Sequence, residues 1–256
     1  IPYGERIELY GIALDKDEGS LPVEDLDWTL TGPDSRTARG SYVTFEDLAP
    51  GLYSATLTAQ DSEGFGDSDS VDFAVGPVEV TDGPVPELDG VMDEAYRDGQ
   101  TIQVLAEEGR NVQAHLLHAG GALWVCFTGL PIPGVGLPET HAGIFIDADG
   151  SGGNVAEGDD VAYLISEFGS VLRYQGDGAG GLEIRTDPGV GFESDIFRGD
   201  SAWGAEMRIP EDQIDGWDHN ARINLAVLDI VSGSDDNYWP SNATNADPSS
   251  WAPAIF

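Results

Sequence analysis

The sequence predicts an all-β protein made of two tandem β-sandwich domains, and three observations carry that prediction. Thirty-four glycines and fifteen prolines punctuate 256 residues, the composition of a chain with many short strands and many turns. Apolar residues recur at period two or in short continuous runs, and nowhere keep a helical period over a long window. A stretch with three prolines, PVEVTDGPVPE (77–87), separates two sets of such strands and reads as a short, stiff linker. The expected boundaries are 1–76 for a small first domain, 77–87 for the linker and 88–256 for a larger second domain. The linker is also placed to supply the first strand of the second domain. A chain of this length suffices for two domains, and 40% apolar content with six tryptophans suffices for two cores.

In the first domain RIELYGIA (6–13) is a strand and LDKDEGSLP a polar turn. DLDWTLTG follows, with Leu26, Trp28 and Leu30 on one face as a half-buried strand requires. After SYVTFEDLAPG and its Pro-Gly turn, LYSATLTAQD sets Tyr53, Ala55, Leu57 and Ala59 against Leu52, Ser54, Thr56 and Thr58. VDFAV closes the unit. The order is that of a small immunoglobulin-like sandwich.

In the second domain VQAHLLHAGGALWVCFTGL (112–130) is a hairpin about Ala119-Gly120-Gly121, and AGIFIDA and DVAYLIS flank an acidic loop. Shorter strands GSVLRYQ, GLEIRT and FESDIFRG come next. SAWGAEMRIPEDQI runs into a brief helical turn with Pro210 at a permitted first position, and RINLAVLDIV is the last strong strand. Trp203, Met207 and Cys126 are expected in the core, and Glu206 with Arg208 as a surface ion pair, the alternative being that they line a ligand cleft. With a single cysteine no internal disulfide can form.

The formal net charge is −36. It excludes nucleic acid, whose phosphates would be repelled, and anionic membranes; no run of 18 apolar residues is present to insert directly in a bilayer. Aromatic content and regular strand patterning speak against the disorder that acidity often signals. The acidity is explained either by adaptation to high salt or by oxygen-rich sites for divalent cations. The chain opens directly on strand-like sequence, so it is expected to be a fragment of a longer protein.

The densest acidic feature lies between two strands, in IFIDADGSGGNVAEGDDVAYLIS (144–166). Five carboxylates in so short a loop repel one another, and a hard cation with oxygen ligands would relieve that repulsion. From Asp147 the loop follows the start of a calcium-loop pattern, with Asp149 at position 3, Ser151 at 5 and Gly152 at 6. Position 12 is Gly158 instead of Glu, but Glu157, Asp159 and Asp160 lie beside it. The flanking elements are strands, so the loop is not an EF-hand. The predicted Ca²⁺ ligands are Asp147, Asp149, Ser151, Glu157, Asp159 and Asp160. A second set, Asp15, Asp17 and Asp61, is predicted to meet at one end of the first sandwich. The alternatives are a solvated hairpin tip for the first set and ordinary turn hydrogen bonding for the second.

Two resemblances sharpen these expectations. The run GIALDKDEGSLPVEDLDW…LAPGLYSATLTAQDSEGFGDSDSVDFAV resembles the polycystic-kidney-disease (PKD)-type and cadherin-like repeats of bacterial surface proteins, which implies a spacer or a protein-contact surface. In the second domain LDGVMDEAYRDG, LWVCFTG, IFIDADG…DDVAYLIS and WGAEMRIP, in that order, resemble the family-nine carbohydrate-binding modules and related DOMON-like sandwiches. That resemblance implies an extracellular jelly-roll or DOMON-like sandwich, frequently calcium-stabilised, that binds a sugar and does no chemistry. The loops carrying the family's sugar-contacting tryptophans do not align with this chain.

A pyranose needs flat aromatic faces with amides or carboxylates for its hydroxyls. The C-terminal tail offers Tyr238, Trp239, Asn242 and Trp251, and Trp217 stands in the loop DGWDHN; these five are the predicted sugar contacts. Haem and zinc lack ligands at suitable spacing, and no nucleophile-elbow, P-loop or dinucleotide motif is present. The expected function is non-catalytic glycan binding, calcium-stabilised, in a secreted or cell-surface protein. The alternative is a structural or adhesive segment, with a cell-surface protein or a second copy as partner and no sugar.

Overall fold

The computed structural model describes residues 1, 3–4, 6–107, 110–132, 139–217, 219–229, 236–240 and 243–256. The protein is all-β, with helix limited to short 3-10 turns among the described residues, none long and apolar enough to cross a membrane. It divides into two compact units, Ile1–Pro77 and Val78–Phe256.

In the first unit a four-stranded antiparallel sheet runs in the order Arg36–Arg39, Leu26–Thr31, Gly51–Gln60, Gly66–Val75, and Ile7–Tyr10 pairs separately with Tyr42–Phe45. The alternation dictates the burial. Leu26, Trp28 and Leu30, with Tyr53, Ala55, Leu57 and Ala59 opposite them, share one core with Ile7, Val43, Phe45, Leu48 and Val75, while Asp27, Thr29 and Leu52 point outward. The buried polar tips find partners: Trp28 Nε1 donates to Gly40 O at 2.9 Å and the Tyr53 hydroxyl to Ala49 O at 2.9 Å.

The second unit has two sheets. One runs Gln100–Glu107, Arg110–His118, Ala122–Pro131, Ala202–Pro210, Glu193–Arg198. The other runs Leu182–Arg185, Val171–Gly176, Val161–Ser166, Thr140–Asp147, Asn220–Asp229, Ala252–Ile255, Val78–Glu79, with Asn237–Trp239 also paired to Asn220–Asp229. Val78–Glu79 falls in the stretch expected as linker and joins this sheet in parallel with Ala254–Ile255. The hairpin turn at Ala119 carries Gly120 and Gly121 at φ +58° and +71°, a conformation that favours glycine.

The central strands are buried on both faces. Val161–Ser166 has no exposed residue, and Ala122–Phe127 none either. One parity (Ile144, Ile146, Tyr163, Ile165, Val125, Phe127, Met207) fills the space between the sheets. The other lies under covering segments. Phe145, Ala162 and Leu164 pack with Trp251 and Ala243 of the tail, and Trp124 and Cys126 pack with Tyr96 and Leu88 of the 88–98 segment. Two covered faces explain why LWVCF and VAYLIS read as continuous apolar runs instead of alternating ones.

One sequence expectation fails here. Glu206 is 0% exposed, not at the surface. Its Oε1 accepts from the Tyr96 hydroxyl at 2.7 Å, and its Oε2 accepts from Asp89 N at 3.1 Å and Gly90 N at 3.3 Å. It fastens the 88–98 segment to the sheet, which the sequence conceals because the partners lie more than a hundred positions away. Arg208 pairs instead with Glu193 at 3.9 Å.

Candidate functional site

The acidic loop closes the hairpin formed by Thr140–Asp147 and Val161–Ser166, whose last pair is Ile146 with Val161. The next residues outward on the two strands are Asp147 and Asp160, so antiparallel pairing forces them toward each other, and Asp159 follows. Carboxylate oxygens of Asp147, Asp159 and Asp160 lie within 4.8 Å of one another. Asp147 and Asp160 are 0% and 1% exposed.

Backbone amides meet part of this charge. Asp147 Oδ2 accepts from Gly152 N at 2.8 Å and Oδ1 from Ser151 N at 3.2 Å. Asp160 Oδ2 accepts from Glu157 N at 2.6 Å. Its Oδ1 is buried and has no hydrogen-bond partner among the described residues, an expensive state for a carboxylate oxygen. Burial, then the charges of Asp147, Asp159 and Asp149, push the Asp160 carboxyl up to about 7, against the Glu157 amide. Burial also raises Asp147, whereas the Ser151 amide holds Asp149 below its ordinary value. The loop reaches this shape through Gly150 and Gly152, at φ +66° and +62°. A Cβ at Gly150 would stand 2.8 Å from Asn220 O.

Three convergent carboxylates, one with an orphaned buried oxygen, fit a hard divalent cation. Asp147, Asp159 and Asp160, three of the six residues expected from the loop, form this set, and Asp149, Ser151 and Glu157 do not. Asp149 and Glu157 are exposed, Asp149 and Ser151 serve each other in a turn (Ser151 N to Asp149 Oδ1, 2.8 Å), and Glu157 engages Asp160 through its backbone. Convergence comes from hairpin register. Asp15, Asp17 and Asp61 form no such group among the described residues. Asp15 accepts from the amides of Asp17 and Glu18, both at 2.7 Å, and Asp61 from those of Glu63 and Phe65 at 2.9 and 2.8 Å, so these acids shape turns.

Beside the triad is a cleft of about 270 Å³ lined by Ala148, Gly158, Asp159, Arg173, Gln175, Asp212 and Gln213, with Val161 and Asp215. Arg173 and Gln175 are two apart on the strand Val171–Gly176 and share a face. The Arg173 guanidinium lies over the Tyr163 ring, 6.0 Å from its centre, and Phe192 stacks on that ring at 4.9 Å. The Tyr163 hydroxyl and Arg173 Nε are buried and make no hydrogen bond of good geometry among the described residues.

Two solved structures share this architecture. Both are of a carbohydrate-binding module of family 9 from Caldicellulosiruptor kristjanssonii, one in complex with cellotriose and one with glucose. Each is 13% identical to this chain with a TM-score of 0.52; the alignments cover 70% of this chain and 92% and 94% of those chains. The likeness is one of fold. No protein-family model matches the chain, and no curated protein matches it.

The aromatic residues expected as sugar contacts are placed mostly inside. Trp251 is 1% exposed, stacks at a tilt on Phe145 (5.9 Å) and donates from Nε1 to Thr244 O at 2.6 Å. Trp239 is 5% exposed on a strand paired with Leu225. Tyr238 is half-buried against the same cluster, and burial pushes its hydroxyl up to about 12. Tyr238 and Trp251 come together in the cover of that sheet's apolar outer face, whereas Trp239, paired with Leu225 beside Ile144, is buried on the opposite face. Trp217 stands apart from them, stacked between His118 (3.8 Å) and Phe256 (5.2 Å). His118 is clamped by Asp82 and by Glu211 at 2.7 Å. Asn242 lies outside the described residues.

Sequence reasoning missed Arg173, Gln175, Asp212 and Gln213. A signal was present: in VLRYQG two long polar side chains share the parity of a strand face that is otherwise apolar.

Proposed function

We propose that the chain is a non-catalytic glycan-binding module of a larger secreted or cell-surface protein. The second unit binds a neutral saccharide in the Arg173–Gln175–Asp212–Gln213 cleft, and the first unit is a spacer of PKD type. The observation that carries the reading is the cleft itself: one guanidinium, two amides and three carboxylates line it, with Gln175 Nε2 held by Gly158 O, an arrangement suited to sugar hydroxyls. The fold shared with modules solved with cellotriose and glucose supports the same reading. Three acids against one arginine line the cleft, which disfavours uronate and sulfated sugars. Ca²⁺ held by Asp147, Asp159 and Asp160 braces the wall. Bound there, it would neutralise buried charge and fix the hairpin tip.

The test is a glycan array probed with the labelled chain in calcium buffer, followed by Arg173→Ala. Binding to neutral oligosaccharides, lost in Arg173→Ala at unchanged melting temperature, is the expected result. A blank array, or binding indifferent to Arg173→Ala, refutes it.

A further inference from the structure

The triad and the cleft share residues. Asp159 places one carboxylate oxygen in the triad and also lines the cleft. Its chain neighbour Gly158 lines the cleft too, as does Ala148, which follows Asp147. The hairpin tip is thus a wall with the cleft on one side and the triad within it.

Coordination arithmetic gives this contact a meaning. Ca²⁺ takes about six to eight oxygens. The described side chains bring three carboxylates, and Asp147 and Asp160 already spend oxygens on the amides of Gly152, Ser151 and Glu157. The buried, unpartnered Oδ1 of Asp160 is the independent mark of a missing positive partner. An ion held by these groups keeps open positions, and the partly exposed member of the triad, Asp159, is the one that faces the cleft. A vicinal diol of a pyranose presents two neutral oxygens to such positions, while Arg173 and the carbonyl end of Gln175, whose Nε2 donates to Gly158 O, line the same cleft for the remaining hydroxyls.

We infer that the cation at Asp147, Asp159 and Asp160 is part of the sugar site: two adjacent hydroxyls of a neutral saccharide complete its coordination shell from the cleft side. This rests on the glycan-binding reading above and adds to it that recognition runs through the metal. The site then selects sugars by the geometry of their vicinal diols and releases them when the ion leaves.

The experiment uses the whole chain with cellotriose as probe. Calorimetric affinity is measured in calcium and in EDTA, and Tb³⁺ luminescence lifetimes in H₂O and D₂O count the waters on a lanthanide placed in the site. The expected result is an affinity at least about tenfold weaker in EDTA, the scale of hydrogen-bond-strength contacts to a charge. Cellotriose should also displace about two waters from Tb³⁺, one for each diol oxygen. Asp159→Asn, whose amide oxygen can still accept from Asp149 N, should weaken Tb³⁺ and cellotriose together, and Asp61→Asn in the first unit should change neither. Cellotriose binding that is equal in EDTA and calcium overturns the inference and leaves the glycan reading standing. So does binding that leaves the Tb³⁺ water count unchanged, since the ion is then only a brace. Absence of cellotriose binding in both states overturns the inference, and a blank array removes the glycan reading beneath it.

Discussion

Replacing Asp160 by Asn should stabilise the protein in EDTA and destabilise it in calcium, and the size of both effects can be worked from the hairpin. Without an ion, the Asp160 carboxyl is pushed from 3.8 to about 7, a displacement worth about 4 kcal/mol once the group is ionised. The folded state holds this proton more tightly than the unfolded chain. The penalty is therefore fully present above the folded value and absent below the unfolded one. In EDTA the melting temperature should rise as pH falls from about 8 toward about 4, with Asp147, also raised, acting in the same direction. For a unit the size of Val78–Phe256, about 4 kcal/mol corresponds to roughly 8–16 °C. Calcium at about a thousand times its dissociation constant supplies a similar amount, about 4 kcal/mol, and should flatten the pH dependence by removing the cause of the raised value. Asn keeps an acceptor for Glu157 N but carries no charge. In EDTA it should recover much of the penalty, and in calcium it should lose most of the increment. The assay is differential scanning fluorimetry of both proteins from pH 4 to 8, with calcium and with EDTA. A melt indifferent to EDTA across that range, or an Asp160→Asn variant destabilised equally in both buffers, would refute the reasoning.

Two further outcomes follow from the packing. Glu206→Ala strands the Tyr96 hydroxyl and the amides of Asp89 and Gly90, and should cost about 3 kcal/mol in urea unfolding. An effect below half of that would mean the 88–98 segment is held by its apolar contacts alone. Trp251→Ala should cost about 3–5 kcal/mol as a core truncation, while Trp251→Phe should fold and bind glycan normally on the array. Loss of binding in a well-folded Trp251→Phe would return the tail to the site.

How much was legible in the sequence depended on the range of the physics involved. Period-two alternation in DLDWTLTG and LYSATLTAQ sorted Leu26, Trp28, Leu30 and Tyr53, Ala55, Leu57, Ala59 onto the faces that are buried, because the other face of that sheet meets water, but left Ile7, Val43, Phe45, Leu48 and Val75 unnamed. The same logic gave Trp203, Met207 and Cys126 as buried. It failed for the tail. Tyr238, Trp239 and Trp251 looked like an exposed platform because no strand pattern surrounds them, but Phe145, Ala162 and Leu164 already implied an apolar outer face, which Tyr238 and Trp251 cover, and Trp239 is buried on the other face. Glu206 failed for a related reason: its three donors come from the 88–98 segment, and nothing local announces a partner so distant in the chain. The cleft was out of reach because Asp212 and Gln213 approach Arg173 and Gln175 only through the packing of one sheet on the other.

The acidity shows the limit most clearly, because the structure divides what the sequence presents as one phenomenon. Many acids sit in turns and accept backbone amides: Asp15 and Asp61, expected as ion ligands, and Asp93, Asp177, Asp187 and Asp247, not so expected, each close a tight turn this way. Such a carboxylate is stabilised by local dipoles and by water, and it needs no cation. Asp160 differs in kind. It is buried, it has two ionisable neighbours at contact range, and one of its oxygens has no donor among the described residues. The sequence named Asp147, Asp149, Ser151, Glu157, Asp159 and Asp160, and pairing across the hairpin brings together Asp147, Asp159 and Asp160 alone among them. The choice follows from strand register: Ile146 opposite Val161 places the next residues, both aspartates, face to face at the buried end of the sheet. Two acids at such a position repel in a low dielectric. The register, more than the spacing along the loop, thus brings together the acids that could hold a cation.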